Sequence, residues 1–255
     1  MSLHRDTSRQ FDARLRAVAN VTDLPPELDV LKSRLDSWQR DTGTPAIDRL
    51  ARSVIDGDPA DAVLLAAAIA QTAASPGVHN DVITGVRTRV HAAIRDTFAA
   101  HAESIYRTVA AIFNRAVESF TACTAVCDPE MPAVAVVDAT EKVRKAWKQA
   151  EGAAAELDRI LPALVAAAQL AGLADDTDHA AYRLCCEDAP GGFEAWQSED
   201  KRAQAARHAA ANLPFTGQPL PTPTRCGRWS SVAAVTTIRA ATPEQLAQDE
   251  QLIPA

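Results

Sequence analysis

Aromatic residues are scarce in this chain, with six Phe, four Trp and two Tyr among 255 residues. Large side chains bury the most area each, so a core built here must rely on many smaller ones. Lysine is scarcer still, five against 21 arginines, and no segment carries the basic stripe of a nucleic-acid-binding surface. No specific nucleic acid is therefore expected as a partner. Long apolar runs are missing as well. The most apolar stretches, 62–70 and 160–173, are too short or too interrupted to span a bilayer, so no membrane partner is expected. The opening Met-Ser-Leu-His-Arg-Asp leads into no apolar stretch of the kind a signal peptide needs. The cysteines (Cys123, Cys127, Cys185, Cys186 and Cys226) are odd in number, and a chain of this size needs no disulfide staples. Reduced thiols and a cytoplasmic location follow as expectations. No Walker loop, Gly-x-Gly-x-x-Gly, Gly-x-Ser-x-Gly or His-Glu-x-x-His occurs. The sequence thus presents no catalytic, cofactor-binding or metal set, implies no cofactor, and points away from an enzyme.

What the chain has instead is alanine, 53 residues of it. Alanine is the best helix former and buries little area, so its helices must approach one another closely. The central stretch, 81–127, contains no proline and one glycine. Along it Val90, Ile94, Phe98, His101, Ile105, Val109, Ile112, Ala116, Phe120 and Cys123 step by 4, 4 and 3. That repeat, about 3.67 residues per turn, keeps the stripe on one face of an undistorted helix. A second row, Ala99, Ala102, Tyr106, Ala110, Phe113 and Val117, lies beside it, so the helix should be buried on two sides.

After the break at 128–132, a helix is expected over 133–170, with Gly172 closing it and Pro162 kinking it. Its seam of Val143, Trp147, Ala150, Ala154, Leu157, Leu161, Leu164 and Ala168 alternates 4 and 3, which suits an antiparallel neighbour. The short connection makes the central helix that neighbour. Shorter helices are expected over 9–20 (Phe11, Leu15, Val18), from Pro26 to about Arg40 (Leu28, Leu31, Leu35, Trp38), over 45–56 and 58–74, then 178–186, 193–212 and from Pro243. Four prolines between 213 and 224 mark an extended linker or a polyproline ligand, and 229–239 fits strand and helix alike. The fold class is all-α, an elongated helical bundle built on a long antiparallel hairpin. Residues 1–76 form an N-terminal helical segment, 77–212 the central bundle, and 213–255 a linker and tail.

Three constellations carry chemistry. Arg95-Asp96-Thr97-Phe98-Ala99-Ala100-His101 resembles the arginine-polar-x4-histidine motif of HEPN-domain ribonucleases. The resemblance implies His101 as acid or base and Arg95 as phosphate holder. Cys123 and Cys127 share a helical face, where zinc would need partners such as Cys185, Cys186 or His179. The hairpin topology keeps these far away, so no zinc is expected. Asp175-Asp176-Thr177-Asp178 resembles the aspartate-rich magnesium motif of isoprenoid-processing enzymes, although acidic residues also suit a helix start. Residues 173–200 hold eight acidic groups against Arg183 alone, with Phe193 and Trp196 beside a Gly-Gly turn. There Trp196 either seals the bundle or anchors a contact with a basic partner, such as the 225–239 tail of another copy. The expected function is scaffolding, assembly or adaptor work through a protein partner or self-association, with a HEPN-like ribonuclease as the alternative.

Overall fold

Alanine-rich segments punctuated by proline and glycine leave the backbone one regular option, and helices are what form. The computed structural model describes residues 8–43, 70, 76–175, 177–187, 189–211 and 224–250. The helices expected over 45–56 and 58–74, and the linker over 213–223, lie outside them. Among the described residues the regular elements are α1 (Ser8–Ala19), α2 (Pro26–Gly43), α3 (Pro76–Thr124), α4 (Ala133–Val137), α5 (Glu141–Leu170), α6 (Asp178–Cys185), α7 (Gly192–Ala211), α8 (Arg228–Ala233) and α9 (Pro243–Glu250). The β-structure among them is an isolated antiparallel bridge, Cys186 to Ile238. No helix among them is long and apolar enough to cross a membrane.

The chain divides into two compact units, one of residues 24–101 and one of 1–23 with 102–255. Within the first, Leu28 on α2 and His91, Ile94 and Phe98 on α3 are buried. Within the second, the C-terminal part of α3 packs against α5, and α1 lies along α5 with Phe11, Leu15 and Val18 fully buried. Arg159 on α5 reaches the carbonyl of Asn20 just beyond α1 at 3.5 Å. The α3 face that looks inward carries Ile105, Tyr106, Val109, Phe113, Val117 and Phe120, matching both expected rows from residue 102 onward except at Ile112, which is half-buried. Ala99 and His101 differ: the first is exposed and the second half-buried. Proline at the first turn lets α3 begin at Pro76, five residues before the expected start.

The helix expected over 133–170 is broken. α4 ends at Val137, whose carbonyl takes the Arg144 guanidinium at 3.2 Å rather than a backbone N–H. The Thr140 hydroxyl then accepts from the Val143 N–H and starts α5 afresh. The break also shifts the seam. Trp147 is only half-buried, its indole N–H donating to the Met131 carbonyl at 2.9 Å, and Ala146 takes the inward position. Ala150, Ala154, Leu157, Leu164 and Ala168 are buried as expected, and Pro162 sits exposed within the one helix. Gly172 (φ 71°) closes it: its N–H bonds the Gln169 carbonyl, and that of Leu173 bonds Ala168. These paired bonds cap the last carbonyls through a left-handed residue, which glycine adopts without strain.

The tail, 224–246, returns over the hairpin and settles the ambiguity of 229–239: Arg228–Ala233 is helix, and the chain then extends. Tyr106 donates to the Ala241 carbonyl at 2.7 Å, and the Asn114 side chain accepts from the Ala240 N–H at 2.8 Å. The Trp229 indole donates to Asp158 at 2.8 Å, and Arg107 pairs with Glu103 and Glu244. Rings from four helices meet in sequence: Phe113 on Trp229, Trp229 on Trp196, Trp196 on Tyr182, and Tyr182 on Phe193, with centroids between 5.7 and 6.1 Å.

Candidate functional site

Helices that pack through alanine leave their outer flanks shallowly furrowed, and a furrow of this kind runs between α3 and α5. It is a groove of about 690 Å³. Its floor is Ala116, Cys123 and Ala146, all buried, and its walls include Ala122 and Ala153. Val126 and Lys142 line it together with Ala116 and Glu156, as antiparallel helices require. Lys142 and Lys145 are exposed on the rim, and Gln149 and half-buried Glu156 continue that rim along α5. Charge is therefore positive near the hairpin turn, and farther along Glu156 is paired with Arg159 at 2.6 Å. Beside the lysine end, α4 turns Val134 and Val137 outward, 81% and 69% exposed.

The HEPN-like pair lies on α3 in the 24–101 unit, Arg95 and His101 both half-buried. Six positions along a helix separate two side chains by about 240° around the axis and about 9 Å along it.

The thiols fall into two groups. Cys185 sits beside Tyr106, and burial together with this thiol raises the Tyr106 pKa. Tyr106 precedes Cys123 by about 25 Å of helix rise. The tail brings Cys226, not Cys185 or Cys186, toward Cys123. The Glu130 carboxylate holds that tail by accepting the N–H groups of Arg225 and Cys226 at 2.7 and 2.9 Å. Burial, followed by the Glu130 charge, pushes the Cys226 thiol up to about 11, and burial raises Cys123 and Cys127 as well. All five thiols are buried and unpaired, which makes them poor nucleophiles. Among the described residues no three His, Cys, Asp or Glu side chains converge as metal ligands. Asp175 instead accepts from Thr177, whose hydroxyl caps α6 by accepting the Ala180 N–H.

The acidic segment already has its basic neighbour. Trp196 is 1% exposed, and the Arg228 guanidinium of the same chain lies 4.5 Å over its ring. Glu199, buried, takes Arg202 at 2.5 Å and Ser231 at 3.4 Å. Trp196 seals the core, and the Arg-containing tail packs on the acidic segment in cis. Composition alone suggested their attraction but not which copy supplies the tail. Arg225, stacked 3.5 Å over Trp147 and bonded to Glu151 at 3.1 Å, had no signal in the sequence beyond its charge. Compared with known protein families, characterised proteins and solved structures, the chain matches none.

Proposed function

We propose that this chain is a non-catalytic helical contact protein, a scaffold or adaptor, whose α3–α5 groove receives an amphipathic helix of a protein partner. One observation carries the reading: a groove with a floor of buried small residues and a lysine rim. Small residues let a third helix approach closely, and a groove between two helices is the kind of surface that receives one apolar helix face. The rim selects its charge: acidic residues opposite Lys142 and Lys145, while Glu156 already pairs with Arg159. Rim charges of this kind act mainly on encounter rate and orientation. Val134 and Val137 extend the apolar contact beyond the lysine end. Five unpaired thiols fit a reducing, cytoplasmic setting.

The test places a photo-crosslinking amino acid at Ala122, in the groove, and at Ala155, exposed on the opposite side of α5. A discrete adduct is expected from Ala122, weakened when Lys142 and Lys145 become Glu, with the crosslinked peptide helical and acidic. An adduct of twice the chain mass identifies a second copy as the partner. Equal adducts from both positions overturn the groove reading. Cleavage of single-stranded RNA by purified protein, lost in Arg95→Ala and His101→Ala, establishes the HEPN-like alternative in its place.

A further inference from the structure

Cys185 is the last residue of α6, and Cys186 is the first extended residue after it. Their Sγ atoms lie 3.7 Å apart, within sulfur hydrogen-bond distance and with no disulfide between them. Both are buried, Cys185 completely and Cys186 to within 5%. A direct disulfide does not suit this pair. Adjacent Cα atoms are about 3.8 Å apart across a trans peptide, whereas disulfides span about 4.4–6.8 Å, so closing the bond strains the ring. One atom placed between the sulfurs removes that conflict. The ring gains a member, and the sulfurs stay near the separation they already have.

The chemistry of that atom is constrained. It must be soft, must bond two sulfurs at a bent angle, and must accept thiols rather than thiolates. Burial, reinforced by Cys186 as hydrogen-bond partner and neighbouring charge, holds the Cys185 thiol well above its ordinary pKa. Divalent metals need deprotonated sulfur and are disfavoured on that ground. Trivalent arsenic meets every condition. We propose that Cys185 and Cys186 form a two-thiol chelating site for a trivalent organoarsenical.

The reaction balances without an oxidant or reductant. An arsine oxide loses its arsenic–oxygen double bond, two arsenic–sulfur bonds form, and the oxygen leaves as water with both thiol protons. Access runs through the tail. Residues 184–187 are covered by 237–241 through three backbone bonds: Glu187 N–H to Thr237, Arg239 N–H to Cys185, and Ala241 N–H to Leu184. Local opening of this short ladder exposes both sulfurs while α6 remains intact, a motion of lower cost than global unfolding. Cys186 pairs with Ile238 through the backbone, so a group seated on its sulfur bears on the same short ladder that must open to admit it.

The experiment incubates the folded full chain with one equivalent of phenylarsine oxide in excess glutathione, then maps the adduct by mass spectrometry. Tryptic peptide 184–201 holds both thiols and no other cysteine. The expected result is one phenylarsine group on that peptide, resistant to glutathione, released by dithiothreitol, and accompanied by faster amide exchange at 237–241. Cys185→Ser and Cys186→Ser should each weaken retention at least about a hundredfold, the advantage of a second linked bond. No uptake by the folded chain, uptake at Cys123, Cys127 or Cys226, or unchanged retention in either variant overturns the proposal. Mapping on the wild type decides the matter even if a variant fails to fold.

Discussion

α5 of the hairpin and the 178–246 region that closes over it are built from different materials. α5 buries Ala146, Ala150, Ala154, Ala163, Ala166, Ala167 and Ala168 with Leu157, Ile160, Leu164 and Leu170, and no ring; the buried rings of the hairpin, Tyr106, Phe113 and Phe120, all lie on α3. The closing region centres on Tyr182, Trp196 and Trp229, all 1% exposed or less. Alanine loses no side-chain entropy on burial and adds little area per residue, so α5 spreads its stability over many positions. The rings concentrate it in a few. α5 should therefore tolerate single substitutions that the closing region does not.

The sharpest test of that contrast is Trp229→Ala. It removes a fully buried ring that touches both Phe113 and Trp196 and leaves Asp158 without its indole donor. A loss of about 3–5 kcal/mol in chemical denaturation is expected. A loss under about 1 kcal/mol would show that the tail adds little, and the contrast would fail.

Gly192→Ala comes next. A Cβ there would stand 2.1 Å from the Tyr182 hydroxyl, which itself donates to the Glu187 carbonyl. Overpacking at so tight a point costs about 1–3 kcal/mol. Adding Tyr182→Phe should return part of it, and a double-mutant cycle with no coupling between the two would contradict the contact.

The hairpin offers the opposite sign. Gly152 is exposed on α5 with open space where a methyl group would stand, so Gly152→Ala should stabilise by about 1 kcal/mol through helix propensity. A destabilised variant would mean that the outer face of α5 is covered after all.

The smallest effect is a slope. The Cys226 thiol is held protonated to about 11, above its ordinary 9.0, so its contribution is complete below pH 9. Between those values the unfolded chain releases a proton that the folded chain keeps, and stability falls as pH rises. Denaturation midpoints across that window should decline less steeply in Cys226→Ala than in wild type. Parallel declines would assign the alkaline sensitivity elsewhere.

Most of the hairpin was legible from periodicity, because a stripe such as Ile105, Val109, Ala116 and Phe120 records which face of a helix meets apolar surface. The break at Thr140 was not. It depends on a threonine cap and on Arg144 taking the Val137 carbonyl, both of which compete with a continuous helix by small margins. Trp147 was misplaced for the same reason, since its neighbours are the connection and Arg225 rather than α3. The groove had no signature either. Its lysines and alanines are ordinary helix residues, and only the register of α3 on α5 sets Ala122 near Lys142 and Lys145.

The sequence by itself determined the all-α class, the closing glycine Gly172, and most of the inward face of α3, because each rests on residues within a few turns of one another. The tertiary structure alone decided where the tail lies: Glu130 holding the backbone of Arg225 and Cys226, Asn114 holding Ala240, and Arg228 over Trp196. Those contacts join residues far apart in the chain, and each draws on charges and rings with several available partners. Composition names the attraction, but only the packed backbone selects which pair forms.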